Sequence, residues 1–331
     1  MKGEIYPSMS RFLSTALKYG ISLLCLIHAF RGVPLKELWD ALGRFSILPM
    51  FGVVAVSLMA YAVMGLRLTR MNAPPLSFPS AFCATLAGLA VNNVMPAKAG
   101  EVAKAVWIGR SNRLAVDAAL GIVFMERFFD VNVLALLSLW FVWYRGQGGA
   151  AFFLLSGLAV GWLVLFLMRR HPESIVWLAR RLQPLSPKLS DFIRRFLSSL
   201  VRHLTARRLA WMTATSLAVW SLYALEMTLV LNGAAGLGLS LEAALSVFAL
   251  SSLGMLLPSS PGAIGVYEAV TVAALRAHDV PHDQALAAAL FAHMAQFIPV
   301  TLSGGLMMLF FPSEASKENA GSAARQPDKR E

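Results

Sequence analysis

The sequence predicts an all-α polytopic membrane protein with about six transmembrane helices and two re-entrant broken-helix hairpins in an inverted repeat. Three observations predict it. First, 57% of the 331 residues are hydrophobic and only 14% charged, with a mean hydropathy of +0.62. Soluble domains run nearer half apolar and a quarter charged, so a soluble enzyme, a disordered chain and a coiled coil are excluded. Second, six apolar runs approach or exceed the roughly 20 residues that a bilayer core requires. Third, two shorter apolar runs each stop at a proline, and no alternating strand pattern occurs.

The six long runs cover about 12–30, 46–66, 117–143, 150–168, 209–231 and 284–311. Lys2 and Arg11 precede the first, as in a signal peptide. His28-Ala29-Phe30-Arg31 offers no small-x-small cleavage site, so an uncleaved signal anchor is expected. The two broken runs, 80–95 and 242–257, end at Met95-Pro96 and Leu257-Pro258. About 16 helical residues rise about 24 Å, short of a core of about 30 Å. Re-entrant hairpins are therefore expected; two proline-kinked full spans are the alternative.

Orientation follows from charge. Residues 169–208 hold ten Lys or Arg and two acids, a net +8 out of +11, which assigns this loop to the cytoplasm. Residues 232–241 carry no basic side chain and are expected outside. Within the loop, Phe192, Phe196, Leu197 and Leu200 share one helical side, with Arg194, Arg195 and Arg202 elsewhere. That pattern fits a helix lying on an anionic leaflet or a solvated connector. Residues 312–331, with four basic and four acidic side chains, read as a disordered cytoplasmic tail. Charge placed between spans points to anionic lipid rather than nucleic acid. Cys25 and Cys83 lie in apolar runs and support neither a disulfide nor a zinc site; no metal or cofactor is expected.

The broken runs resemble each other. Both contain Pro-x-x-x-Gly, Pro96 to Gly100 and Pro258 to Gly262, and both then resume a helical pattern. The prolines lie 162 residues apart, and the runs preceding the hairpins start 163 apart, at Ser46 and Leu209. One transmembrane domain over 1–311 is expected, with repeat halves of about 12–143 and 150–311. If both broken runs re-enter, both termini are cytoplasmic and the halves are inverted copies, an arrangement in which broken helices meet near the bilayer midplane. The helices restarting near Gly100 and Gly262 would aim free N–H groups at the turn, which favours anions such as phosphate.

Charges inside apolar sequence are costly and have a partner or a function. Glu126-Arg127-Phe128-Phe129-Asp130 places three on one span. Arg127 and Asp130 are i,i+3 neighbours, and Glu126 and Asp130 are i,i+4 neighbours. They form either an internal ion pair locking the bundle or a polar wall in which Arg127 grips a phosphate. Lys98 and Glu101 flank Gly100, with Lys104 a turn further on. Glu268, beside Tyr267, needs a partner, and Arg127 is a candidate. Asn92 and Asn93 cap the first turn or bind a headgroup. Glu226 and His293 are proton carriers or satisfied polar residues. No H-E-x-x-H, Walker loop or C-x-x-C occurs, so catalysis is not expected.

Three motifs, taken together, resemble the transmembrane region of the lysylphosphatidylglycerol synthase family, flippase-like membrane proteins. They are Asn92 to Glu101, Glu126 to Asp130, and Leu257-Pro258 through Gly262, Gly265, Tyr267 and Glu268. The likeness covers about residues 10–311. It implies a lipid-translocating domain of a bacterial inner membrane, acting on a phospholipid or other envelope lipid. Membrane lipids, anionic headgroups among them, are the implied partners, with a homo-oligomer or a separate lipid-synthesising enzyme as further candidates. No synthase domain is read in this polypeptide, so lipid aminoacylation is not expected of it. His293 appears where the family often carries an arginine. An integral-membrane lipid-carrier transferase and an accessory subunit of a lipid-modifying system are the alternatives.

Overall fold

Short apolar arms fold back at proline and glycine, and longer arms run on as continuous helices. The structure, a computed structural model, describes residues 9–71, 75–96, 98–144, 148–257 and 259–311. Pro258 and the 312–331 tail lie outside the described residues. Among the described residues there are thirteen α-helices and no strand. In chain order they are α1 (Met9–Phe30), α2 (Leu35–Gly43), α3 (Leu48–Thr69), α4 (Phe78–Val94) and α5 (Ala99–Asn112). Then come α6 (Val116–Tyr144), α7 (Gly148–Arg170), α8 (Glu173–Leu182), α9 (Pro187–Arg202) and α10 (Ala206–Thr228). The last are α11 (Leu241–Gly254), α12 (Val266–Arg276) and α13 (His282–Phe310).

The six long runs fall on α1, α3, α6, α7, α10 and α13, and the two broken runs on α4 and α11. Among the described residues, three helices are long and apolar enough to cross a membrane: Leu48–Thr69, Ala206–Ala234 and His282–Phe310. Half or less of each apolar window is buried within the protein, from 39% to 50%. The outward positions are apolar too: Phe51 and Leu58 on α3, and Leu302 and Leu309 on α13, are exposed. A soluble helix would present polar side chains there. Contiguous outward apolar surface suits contact with lipid.

Contacts divide the chain into two compact units that interleave in sequence: Met1–Ser57, Asn93–Ala97 and Leu222–Pro299 form one, and Leu58–Asn92, Lys98–Ser221 and Val300–Glu331 the other. In the second unit, α6 is the central helix, with α5, α7 and α9 packed against it. Its core includes Leu68, Ile108, Met125, Phe129, Leu200 and Met212. Trp162 of α7 packs edge-on against Phe128 and Phe129 and donates to Asn132 at 2.8 Å. Helix α9 starts with Ser186 as its cap and Pro187 in the first turn. Its apolar face closes on α6: Phe196 meets Phe124, and Ser199 donates to the Ala118 carbonyl at 2.8 Å. A side chain at Gly121 would collide with Ser199 and the Phe196 carbonyl, so glycine sets that approach. The inner end of this apolar face, at Ser199 and Leu200, is thus covered by its own protein, while Leu189 and Phe192 stay exposed.

The same unit holds the arms of the first hairpin, α4 and α5. Ser80 bonds Ser111 at 3.1 Å, Gly88 packs on Lys104, and Asn92 accepts from the Gly100 N–H at 2.8 Å. As one number rises the other falls, so the arms are antiparallel and the outer ends meet. Lys98 makes the turn in the left-handed region at φ 54°. A Cβ at Gly100 would strike the Gly88 carbonyl and Asn92, which is why glycine follows the turn.

The first unit holds the second hairpin, α11 and α12, which pairs in the same sense. Ser246 contacts His278 at 2.5 Å, Ser251 receives a bond from Thr271 at 2.8 Å, and Gly254 packs on Val270. Gly262 and Gly265 turn the chain at φ 67° and 91°, conformations a side chain resists. Helix α1 packs along α12, and Ser22 accepts from the Ser260 N–H at 2.8 Å. The four arms have 17, 14, 14 and 11 residues. They rise about 26, 21, 21 and 17 Å, each short of a hydrocarbon core of about 30 Å.

The Ser80–Ser111 contact tests the first hairpin. In a C25A/C83A background, oxidised S80C/S111C protein should carry an intrachain disulfide, seen as loss of two alkylatable thiols by intact mass. Both thiols staying free would mean that the outer ends of α4 and α5 do not meet.

Candidate functional site

Two polar clusters are built into these apolar units, one in each. In the second unit, three helices and the first hairpin bring six charges together. Arg67, in the last turn of α3, is fully buried. It grips Asp130 of α6 with two nitrogens, at 2.6 and 3.2 Å, and reaches Glu126 at 3.2 Å and the Ser216 hydroxyl of α10 at 2.8 Å. Ser216 in turn donates to Asp130 at 3.1 Å. Lys104 of α5 makes an ion contact with the other Glu126 oxygen at 2.7 Å. The i,i+4 spacing of Glu126 and Asp130 puts both carboxylates toward one guanidinium, and planar Arg67 satisfies them in bidentate fashion.

Arg127 points to a different part of the cluster. Its guanidinium meets Glu101 of α5 at 2.6 Å and Asp130 at 3.6 Å, and its side chain is 41% exposed. Asn92 donates to Glu101 at 3.2 Å while its carbonyl oxygen accepts from the Gly100 N–H. One asparagine therefore caps α5 and orients Glu101. The cluster has a buried end, Arg67–Glu126–Asp130–Lys104, and a half-open mouth, Arg127–Glu101–Asn92. Lys98 is exposed beside it. Three cations and three carboxylates balance.

In the first unit, His293 of α13 is 4% exposed and lies between two acceptors. Its Nε2 faces the Gly262 carbonyl at 2.9 Å and its Nδ1 faces a Glu268 oxygen at 2.6 Å. A carbonyl only accepts, so the Nε2 side of the ring is the donor to Gly262 and Nδ1 is left to the carboxylate. The other Glu268 oxygen accepts from the Gly265 N–H at 2.6 Å. The pair staples α13 to the glycine turn and to the start of α12. The Tyr267 ring packs against the His293 ring at a tilt of 38°, centroids 4.7 Å apart. Glu226 is fully buried beside Ser57 and Gln296.

The same unit contains a cavity of about 510 Å³. Asn93 and Val94 from the tip of the first hairpin, Ser260, Pro261 and Ile264 from the second, Tyr19 and Ser22 of α1, and Phe297 of α13 line it. Asn93 donates to the Phe297 carbonyl at 3.4 Å, and Gly262 is close to the Asn93 carbonyl. The two hairpin tips therefore meet at one cavity. Among the described residues, no group of three or more His, Cys, Asp or Glu is placed to hold a metal.

Several expectations change. Glu268 takes His293 as its partner rather than Arg127, because the turn at Gly262–Gly265 brings those two together. Glu126 and Asp130 depend chiefly on Arg67, not on Arg127. The N–H groups at Gly100 and Gly265 are already satisfied by Asn92 and Glu268, since a donor at the turn cannot wait unpaired in an apolar setting. Sequence reasoning missed Arg67 and Ser216. An arginine ending an apolar run reads as a routine boundary residue. Within Glu126–Asp130 two acids stand against one cation, and that surplus was the signal that a further cation was required.

Lock and mouth predict different responses to truncation. Arg67→Ala strands buried carboxylates and should cost about 3–5 kcal/mol, whereas Arg127→Ala at the half-exposed mouth should cost about 1 kcal/mol or less. Thermal unfolding of the two purified variants measures both; equal losses would abolish the distinction.

The chain is 21% identical over 232 residues to a UPF0104 membrane protein of Methanocaldococcus jannaschii, an alignment covering 69% of this chain and 97% of that protein. The family model described as the lysylphosphatidylglycerol synthase TM region matches residues 15–304. That match spans both hairpins and both polar clusters, and the chain is a membrane protein belonging to the lysylphosphatidylglycerol synthase transmembrane-region family.

Proposed function

We propose that this protein moves a lipid headgroup between the leaflets of a bacterial inner membrane, leaving the lipid chemically unchanged. The observation that carries the reading is the meeting of two helical hairpin tips, Asn93–Val94 and Ser260–Ile264, at one cavity of about 510 Å³. Each hairpin has arms too short to cross and outer ends that return to each other. Re-entrant segments of this kind meet near the midplane in inverted-repeat transporters. In the proposed topology six helices span, α4–α5 enters from the cytoplasm, α11–α12 enters from outside, and both termini are cytoplasmic. The 1–311 domain then comprises the two inverted halves, with the basic 169–208 loop inside.

The Arg127–Glu101 pair suits recognition of a headgroup. A lipid phosphate competes with Glu101 for the Arg127 fork, and a cationic headgroup group competes with Arg127 for Glu101. Exchange at a half-exposed pair needs no new charge to be buried unpaired. Lys98, exposed at the turn, adds a second cation for phosphate. Glu126 and Asp130 act through Arg67, as positioning groups. The headgroup passes the hairpin tips, where Ser22, Asn93 and Ser260 supply the polar groups of a mostly apolar cavity, while the acyl chains stay in lipid.

Purified protein reconstituted in vesicles should speed leaflet exchange of labelled phospholipid without forming a new lipid. A new lipid product would favour the transferase reading instead. Arg127→Lys keeps the charge and loses the planar fork; it should stay folded, with unchanged unfolding temperature, yet exchange lipid several-fold more slowly. Normal exchange by a stable Arg127→Lys protein would remove Arg127 from the site. For topology, single cysteines at Ser77, Arg113 and Gln183 should label from the cytoplasmic face and one at Gly236 from outside. Labelling of Ser77 from outside would end the re-entrant assignment.

A further inference from the structure

Beneath α9, and sharing no residue with the Arg67 cluster, the second unit has a half-open cavity of about 370 Å³. That volume is within the range of small-molecule sites. Four arginines line it: Arg194, Arg195 and Arg202 from α9, and Arg208 from the first turn of α10. Like charges gathered around one space repel unless counter-charge is supplied. Arg194 has Asp191 at 3.2 Å, and Arg195 has Asp117 at 3.1 Å. Among the described residues, no carboxylate lies within 4.0 Å of Arg202 or Arg208. Arg208 instead donates to the Arg202 carbonyl at 3.0 Å, which brings the two side chains to the same rim.

The rest of the lining suits an oxyanion. Ser198 adds a hydroxyl, while Met71, Leu114 and Ile122 form an apolar wall. His203, 2% exposed, also lines the cavity, its ring nitrogens reaching the Ser199 and Met71 carbonyls at 2.5 and 2.8 Å. Burial, opposed by those two carbonyls and aided by Arg208 and Arg202, holds its ring below the ordinary histidine range. The permanent cations lining the space are the four arginines. Among the described residues, no acidic side chain lines the space.

We infer that this cavity binds a phosphate-bearing anion, with Arg202 and Arg208 supplying the planar forks. Guanidinium and phosphate match in bidentate geometry. The source of the phosphate is either a lipid headgroup, reached from the leaflet beside the basic loop, or a free phosphate ester or ion in solution.

Binding of two probes to the purified full chain in detergent tests this: inorganic phosphate, and a short-chain phosphatidylglycerol. Wild-type protein should bind at least one. The R202Q/R208Q variant should bind that probe about tenfold more weakly or worse, as expected for losing charge-assisted hydrogen bonds. Binding of the lipid that excess phosphate does not displace identifies a headgroup site. Binding of phosphate, displaced by phosphate esters, identifies a soluble-anion site. Without probe, R202Q/R208Q should unfold no lower than wild type, because repulsion has been relieved. If that variant fails to fold, R202K/R208K takes its place, keeping charge without the fork and giving an intermediate loss. Wild-type protein that binds neither probe, or a folded variant that binds as tightly as wild type, overturns the inference.

Discussion

Arg67 sits in the last turn of a long apolar helix with no access to solvent, and the second unit is arranged around satisfying it. Its planar head binds Asp130 with two nitrogens, reaches Glu126 with a third, and takes in the Ser216 hydroxyl. Three helices, α3, α6 and α10, are thereby fixed in mutual register by one side chain. Lys104 meets the remaining Glu126 oxygen and ties α5 to the same helix. A buried charge is tolerated only when paired and hydrogen-bonded. Here the requirement turns a costly residue into a positional constraint that apolar packing alone would not supply.

The hairpins meet a related demand by different means. A chain that turns within apolar surroundings exposes backbone donors that water cannot reach. In the first hairpin Asn92 reaches across the turn to the Gly100 N–H. In the second, Glu268 reaches back to the Gly265 N–H and hands its other oxygen to His293. Both solutions use a side chain on one arm or the next helix to close the turn. Each also fixes a functional-looking group: Glu101 is held by Asn92, and His293 is held between Glu268 and Gly262.

Much of this was legible in the sequence, for physical reasons. Six long apolar runs became six helices, because run length and composition decide what a bilayer can hold. The Pro-x-x-x-Gly pairs located both turns, since proline and glycine restrict what the backbone can do. Glu126, Arg127 and Asp130 stood out because charge inside apolar sequence demands a reason. What remained hidden were pairings across long separations. Glu268 and His293 are 25 residues apart, and Arg67 and Asp130 are 63 apart; no local periodicity connects them. Helix α2 was missed because nine residues between two apolar runs give little pattern. The face of α9 was seen, but its neighbour was not, since amphipathicity does not say what covers the apolar side.

The charge balance of the buried cluster has an electrical consequence. Moving one elementary charge across a membrane is worth about 2.3 kcal/mol per 100 mV. Arg67, Lys104 and Arg127 against Glu101, Glu126 and Asp130 sum to zero, so a transmembrane voltage exerts no net force on the cluster as a whole. Displacing it as a unit would register no gating charge. Any voltage dependence of the protein's activity would then report charges outside this cluster.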